Sequence, residues 1–121
     1  MIKVEQKAEN IYEGISNMML GAKKDYEQMS TSYGKKELEG YSKEQVDNWD
    51  NKTKVSMGKK YIKIVQGNSV FAFVMREDSG RFKKGDILKA AGYNKPALNS
   101  ARGNVLTGNY AIQWTGPLYL K

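Results

Sequence analysis

The chain contains neither cysteine nor histidine among its 121 residues, and these two absences exclude many catalytic and metal-binding sites. Without cysteine there are no disulfides, thiolate nucleophiles, iron–sulfur clusters or thiolate zinc ligands. Without histidine, Ser-His-Asp and Cys-His catalysis and histidine-ligated metals are excluded, because the side chain that titrates near neutral pH is missing. An enzyme would depend on carboxylate, lysine or tyrosine chemistry. We therefore expect a protein that is not an enzyme, with no catalytic residues, no metal site and no cofactor.

Long hydrophobic runs and proline are also scarce. The longest uninterrupted apolar run, Val70 to Met75, is far too short to span a membrane. The first residues, Met1 to Gln6, become polar at once and lack the apolar region of a signal peptide. Two prolines against thirteen aromatic residues is a composition that disfavours disorder. The sequence predicts one domain over residues 1–121 that works in the cytoplasm and has no membrane partner.

Acidic residues are scarce in the second half of the chain. Residues 57–121 carry eleven Lys or Arg against three acids, a net charge of +8, whereas residues 1–56 have a net charge of −1. The overall charge of +7 therefore belongs to the second half. This imbalance indicates an anionic partner, although a net charge of this size also keeps small domains in solution.

Hydrophobic spacing predicts helices in residues 1–54. Apolar residues recur every three or four positions from Val4 to Met29, which predicts a long helix that Gly21 could interrupt. Ser42 and Gln45 have the spacing of a capping box, which predicts a second helix that begins at Ser42. The long apolar stripe could cover a sheet of the same chain or pair with a second copy.

The spacing of apolar residues changes to two over residues 55–121, which is typical of strands. Tyr61 to Val65 and Ser69 to Met75 are β-rich runs separated by a glycine-containing hairpin signal. Alternation along the second run predicts that the rings of Phe71 and Phe73 share one face. The order of elements predicts an α+β fold, with N-terminal helices followed by a mostly antiparallel β-sheet of about four to six strands.

The densest group of ligand-binding candidates is the segment from Asn99 to Asn104. Arg102 stands there among small residues and between two asparagines. A guanidinium group matches phosphate oxygens with paired hydrogen bonds, and asparagine amides suit ribose hydroxyls or base edges. The same composition is also typical of a turn that carries an exposed arginine.

A second basic segment, Arg81-Phe82-Lys83-Lys84, places an aromatic ring among cations. Phe82 could stack on a purine while the lysines neutralise phosphate; alternatively, the lysines guard a strand edge and Phe82 belongs to the core. The remaining ligand-binding candidates are aromatic or polar residues of the predicted strands and of the loop before Arg102: Phe71, Asn94, Gln113 and Thr115.

Whole segments of the second half resemble one known family. They are Ser69–Val74, Phe82–Gly92, Ala101–Asn104 and Ile112–Tyr119. Together they resemble the first described family of phage Thoeris anti-defence sponges. The resemblance covers residues 59–121 and extends more loosely to the helical part.

The resemblance implies a binding protein. Members of that family bind the cyclic ADP-ribose isomers (glycocyclic ADP-ribose) that bacterial TIR-domain proteins make, and hold them intact so that the downstream effector is not activated. They are homo-oligomers, either dimers or assemblies of dimers, and some also bind cyclic oligonucleotides at separate sites. The resemblance thus implies these ligands, a homo-oligomer and action in the host-cell cytoplasm.

Two other function classes remain open on the residues alone. A small basic nucleic-acid-binding protein would bind many sequences with a steep salt dependence. A nucleotide hydrolase or lyase would need carboxylate or tyrosine chemistry and would release a product. The sequence favours the sponge over the nucleic-acid-binding protein, and either over the enzyme.

Overall fold

The computed structural model describes residues 1–118; Tyr119, which belongs to the last resembling segment, lies outside the described residues. In chain order the elements are β1 (Ile2–Val4), α1 (Ile11–Ser30), α2 (Gly40–Asp47), α3 (Trp49–Lys52), β2 (Thr53–Met57), β3 (Tyr61–Gln66), β4 (Ser69–Met75), β5 (Ile87–Leu88), β6 (Ala90–Gly92), β7 (Lys95–Pro96), β8 (Tyr110–Gln113) and β9 (Gly116–Pro117). Helices followed by antiparallel sheets confirm the predicted α+β class.

The strands of the described chain form three antiparallel sheets. The largest has the order β2-β3-β4-β5, a second has the order β1-β8-β9, and β6 and β7 form a separate hairpin. The four-stranded sheet is built around the predicted hairpin of β3 and β4. Gly67 lies in the turn of this hairpin and has a φ of +62°. Glycine suits this turn because it adopts a positive φ without steric cost.

The first strand is a correction to the sequence prediction, which placed Val4 at the start of the long helix. Val4 lies in β1 opposite Tyr110 of β8, so the two ends of the chain share a sheet. The helix begins only at Ile11, because the Asn10 side chain accepts a hydrogen bond from the backbone N of Glu13 and caps it. The division at residue 54 therefore does not separate two independent halves.

The long helix continues through Gly21 without the break that the sequence allowed. A Cβ atom at Gly21 would lie 2.9 Å from a methyl carbon of Val4 and 3.2 Å from one of Ile112. The glycine therefore serves close packing of the helix on the β1-β8 pair. This contact accounts for a residue of low helix propensity in the middle of a helix.

The second helix also begins differently from the prediction. Its N-cap is Glu39, with no side-chain capping hydrogen bond, so the capping box predicted at Ser42 is wrong. Ser42 lies inside the first turn, where its side chain no longer occupies the capping position. The helix is supported instead by an ion pair of 2.7 Å between Lys43 and Asp47, one turn apart.

Two hydrophobic clusters lie on opposite faces of the four-stranded sheet. The larger joins the buried side of α1, including Met18, to Ile62, Ile64 and Val74 on what we call the inner face. Each of these four residues is fully buried, which contributes about 1.5–3 kcal/mol per side chain. Within residues 1–118, no helix is both long and apolar enough to cross a membrane.

Candidate functional site

A β-bulge at Phe71 distributes the candidate residues over both faces of the four-stranded sheet. The register pairs Ile64 with Ala72 and then Val65 with Val70, which leaves Phe71 without a partner in β3. One extra residue reverses the alternation beyond it. The prediction that Phe71 and Phe73 share a face is therefore wrong: Phe71 packs in the inner cluster, whereas Phe73 faces outward.

The outer face carries a small cluster formed by Phe73, Met75 and Leu88, with Phe82 packed against it. Phe82 is half-buried, and the Arg81 guanidinium carbon lies 5.0 Å from its ring centroid. This placement combines the two alternatives that the sequence left for Phe82. The Phe82 ring packs against the outer cluster and also lies close to the guanidinium group of Arg81.

Next to this cluster is a cleft of about 220 Å³ that we call the lysine cleft. Its lining residues are Ser56, Gly58, Lys59, Lys60, Tyr61, Lys63, Phe73 and Asn94. Three of these described residues are cations and none is an acid. The cleft therefore offers an anion both positive charge and aromatic surface, without a competing carboxylate.

Contacts across the lysine cleft hold its groups in place. The rings of Tyr61 and Phe73 meet edge to face, with centroids 6.2 Å apart. Lys63 Nζ donates to Asn94 Oδ1 at 2.8 Å and lies 3.6 Å from the centroid of the Tyr93 ring. The turn between β6 and β7 thus brings Asn94, a predicted candidate, to a lysine of β3.

A second basic group, which we call the arginine cluster, consists of Arg81, Lys89, Asn99 and Arg102. Asn99 links its two guanidinium groups, because its backbone oxygen accepts from Arg81 and its Oδ1 accepts from Arg102 at 3.0 Å. Arg102 also donates to the backbone oxygen of Ser100 at 2.9 Å. Its Nε is buried and has no hydrogen-bond partner within residues 1–118.

The electrostatic environment of Lys89 reflects the same concentration of positive charge. Burial, and next the charge of the neighbouring Arg102, lower the pKa of the Lys89 ammonium below its usual value. Lys89 Nζ donates to the backbone oxygen of Pro117 at 2.9 Å. Lys89 and Arg102 thus concentrate positive charge in the arginine cluster.

The arginine cluster and the lysine cleft adjoin the same outer cluster. Ala101 packs against Phe73, Met75 and Leu88, and Tyr61 of the lysine cleft packs against the same group. Phe82, Asn94, Asn99 and Arg102 are therefore candidates that the fold brings to one region. Lys83 and Lys84 are exposed in the turn beside it, where their backbone N–H groups donate to Asp86 and Asp78.

Asn104 is engaged by the fold itself. Its Nδ2 donates to the backbone oxygen of Lys84 and to Asp86 Oδ1, both at 2.9 Å, and its Oδ1 accepts from the backbone N of Leu106 at 2.8 Å. The amide thus connects the turn before β5 to the loop before β8. We interpret Asn104 as a residue that positions the arginine cluster rather than one that contacts a ligand.

We predict that Asn104→Ala lowers the free energy of unfolding by about 2 kcal/mol, because one exposed and two half-buried groups lose their hydrogen-bond partner at once. Urea unfolding followed by circular dichroism measures this. The matched control is Asn51→Ala at an exposed position of α3, which should change stability by less than about 0.5 kcal/mol. Equal stability of the two variants would contradict a positioning role for Asn104.

The other three candidates lie away from the outer region. Phe71 and Thr115 line a larger cavity, of about 450 Å³, on the inner side of the sheet. Gln113 and Thr115 line a neighbouring cavity of about 230 Å³. The sequence therefore named residues of different sites as one set, because strand alternation alone does not show which faces meet.

Sequence reasoning missed the lysines of the lysine cleft. Lys59-Lys60-Tyr61 repeats the basic-aromatic composition of the segment from Arg81 to Lys84, and that likeness could have identified it. The predicted strand begins only at Tyr61, and no role is predicted for Lys59 and Lys60 before it. Tyr93 was also missed, because only the β6-β7 turn brings its ring over Lys63.

The chain matches no protein-family model, no curated protein and no solved structure. The roles given to individual residues therefore depend on the geometry described above.

Proposed function

We propose that this protein is a non-enzymatic sponge that binds and sequesters cyclic ADP-ribose isomers, and thereby blocks a TIR-dependent antiviral signal in the cytoplasm of the infected cell. The observation that carries the proposal is the lysine cleft, which three cations and two aromatic rings line together and whose described lining contains no acid. A cyclic dinucleotide-sized ligand has the complementary groups, namely a pyrophosphate and a purine. The resemblance of residues 59–121 to the sponge family supports this choice of ligand.

These contacts can supply the binding free energy that a sponge needs. Nanomolar affinity corresponds to about −12 kcal/mol, and a charge-assisted hydrogen bond contributes roughly 1.5–3 kcal/mol. In the proposed arrangement Lys60 and Lys63 bind the pyrophosphate, and Tyr61 lies against the purine. In the same arrangement Asn94 contacts a ribose hydroxyl, and the guanidinium of Arg102 holds a further oxygen.

The proposal is tested by retention and release. The protein is incubated with cyclic ADP-ribose isomers from a TIR enzyme, filtered free of unbound ligand and then denatured by heat. We expect chromatography to recover the intact isomer from the denatured protein only. A changed product would indicate an enzyme, and the absence of retention for every isomer would contradict the sponge.

Binding of nucleic acid is the alternative that the same basic surface supports. The exposed Lys59 and Lys60 would neutralise backbone phosphates, and Tyr61 would stack on a base. Retention of single-stranded DNA or RNA that falls steeply with salt, without retention of any isomer, would favour this alternative. A sponge is expected to lose little of its ligand over the same range of salt.

We also propose that the protein acts as a homo-oligomer, a dimer or an assembly of dimers. Tyr12 and Leu20, two turns apart on α1, are 62 % and 52 % exposed. Their exposure leaves apolar surface along the helix for a second copy. Light scattering of the retained complex gives the molar mass in the same experiment, and a mass of one chain would contradict this part of the proposal.

A further inference from the structure

A cavity of about 450 Å³ lies on the inner side of the sheet, away from the lysine cleft. We call it the aromatic cavity. Its lining residues are Tyr26, Tyr41, Gln45, Trp49, Lys52, Gln66, Gly67, Asn68, Ser69, Val70, Phe71, Trp114 and Thr115. They come from all three helices, from the β3-β4 turn and from the turn before β9. The proposed sponge function uses none of its polar groups.

Aromatic rings form the walls of this cavity. The centroid of Tyr26 lies 6.0 Å from that of Trp49 and 5.1 Å from that of Trp114, the second pair being edge to face. Phe71, which the bulge turns inward, adds a fourth ring, and Tyr41, 72 % exposed, adds a fifth. Walls of this kind favour a planar apolar ligand over a flexible or strongly polar one.

The residues that line the cavity include two hydrogen-bond donors, Trp49 and Lys52, that suit an acceptor on a ligand. Trp49 is only 3 % exposed, yet its Nε1 has no hydrogen-bond partner within residues 1–118. Lys52, one turn further along α3, donates from Nζ to Gln45 Oε1 at 3.0 Å, a neutral acceptor. None of the described residues that line the cavity is an acid. An anion can therefore satisfy Trp49 and pair with Lys52.

Hydrogen bonds between neighbouring elements fix the walls of the cavity. The backbone N of Gly67 donates to the backbone oxygen of Lys52 at 3.0 Å, which fastens the β3-β4 turn to α3. On the opposite wall, the backbone N of Trp114 donates to the buried Asp25 Oδ2 at 2.9 Å. These bonds fix the positions of the walls before a ligand arrives, which lowers the entropy cost of binding.

We propose that the aromatic cavity binds a small planar aromatic carboxylate. Its ring lies between Trp49, Trp114 and Phe71, and its carboxylate accepts hydrogen bonds from Trp49 Nε1 and Lys52 Nζ. A quaternary ammonium ion, the other frequent ligand of aromatic cages, is disfavoured because Lys52 would repel it. The site shares no lining residue with the lysine cleft, so a ligand can occupy either one without the other.

The test uses para-fluorobenzoate as the probe and para-fluorobenzamide, its neutral counterpart of equal shape, as the comparison. Fluorine NMR of each probe is recorded with the full-length protein. We expect the benzoate signal to broaden with a dissociation constant below about 1 mM, and the benzamide to bind at least about fivefold more weakly. Trp49 and Trp114 are the two tryptophans of the chain and both line the cavity. Quenching of tryptophan fluorescence by the benzoate therefore provides a second readout.

Variants then locate the binding. Lys52→Met keeps the aliphatic stem and should weaken the benzoate about tenfold while leaving the benzamide unchanged. Trp49→Phe removes the N–H but keeps a ring, and should also weaken the benzoate. The matched control is Lys54→Met, which removes an exposed cation two residues away, outside the cavity. It should bind the benzoate like the unmodified protein.

Three results would overturn the proposal. They are no broadening of the benzoate at millimolar concentration, equal binding by Lys52→Met and Lys54→Met, and displacement of the benzoate by a cyclic ADP-ribose isomer. The third result would mean that the nucleotide binds in the aromatic cavity. It would therefore also contradict binding of the nucleotide in the lysine cleft. Failure to retain any isomer, with the benzoate still bound, would contradict the sponge and leave the aromatic cavity in place.

Discussion

Reversing the charge of two lysines, in the double variant Lys60→Glu/Lys63→Glu, is expected to weaken binding of the cyclic ADP-ribose isomer by at least about 100-fold. Both lysines line the lysine cleft, where the described lining contains no acid that could compensate for their loss. Each substitution removes an attractive contact to the pyrophosphate and adds a repulsive one. Isothermal titration with the purified isomer measures the change in affinity. In the retention experiment, the denatured double variant should release no isomer.

The matched control for this variant is Lys35→Glu/Lys36→Glu. It changes the net charge by the same amount at two exposed positions of the loop after α1, outside the lysine cleft. If binding depends on total charge alone, the two double variants weaken it equally, and the lysine cleft is not the site. Thermal unfolding of both variants separates lost binding from lost structure. This is needed because Lys63 is half-buried and bonded to Asn94, whereas Lys60 and both control lysines are exposed.

The hairpin β3-β4 could be predicted because each of its signals is local. Two β-rich runs surround a short glycine-containing turn, and Gly67 adopts the positive φ that the turn requires. The start of the chain shows the opposite case. Val4 fits the helical spacing that continues to Ile11, and its place in β1 depends on pairing with Tyr110, more than a hundred residues away. A contact of that range leaves no signal in the local pattern.

The candidate site could be predicted only in part, for two physical reasons. A single bulge residue, Phe71, reverses strand alternation, so residues two apart end on opposite faces. The convergence of Asn94 with Lys63, and of Asn99 with Arg81, is produced by loops that cross over the outer face. Residue chemistry indicated the types of groups that bind an anion, whereas the positions of those loops determine which groups lie together.

Asn104 shows how one side chain can fit two interpretations until its surroundings are known. Its amide would suit a ribose hydroxyl, which made it a candidate. In the fold, the same donor and acceptor atoms are used by Lys84, Asp86 and Leu106. The loop that it orders carries Arg102 at one end and Val105 at the other. The position of Arg102 therefore depends on how α1 packs against that loop.

Gly14 is the point at which α1 supports the loop, and Gly14→Ala is expected to lower the free energy of unfolding by about 2 kcal/mol or more. A Cβ atom there would lie 2.5 Å from the backbone oxygen of Val105 and 2.8 Å from its Cβ. Backbone atoms cannot move aside as a flexible side chain can, and Val105 is only 1 % exposed. Alanine favours the helix by about 1 kcal/mol over glycine, so a net loss would show that the clash exceeds this gain.

Calorimetry should therefore find a melting temperature lowered by about 8 °C for Gly14→Ala. Gly21→Ala is the matched control in the same helix. Its added Cβ would approach methyl carbons of Val4 and Ile112, at 2.9 and 3.2 Å, which can shift. We expect it to lose less than half as much stability. A Gly14→Ala protein at least as stable as the unmodified chain would mean that the packing of α1 against the loop does not contribute to stability.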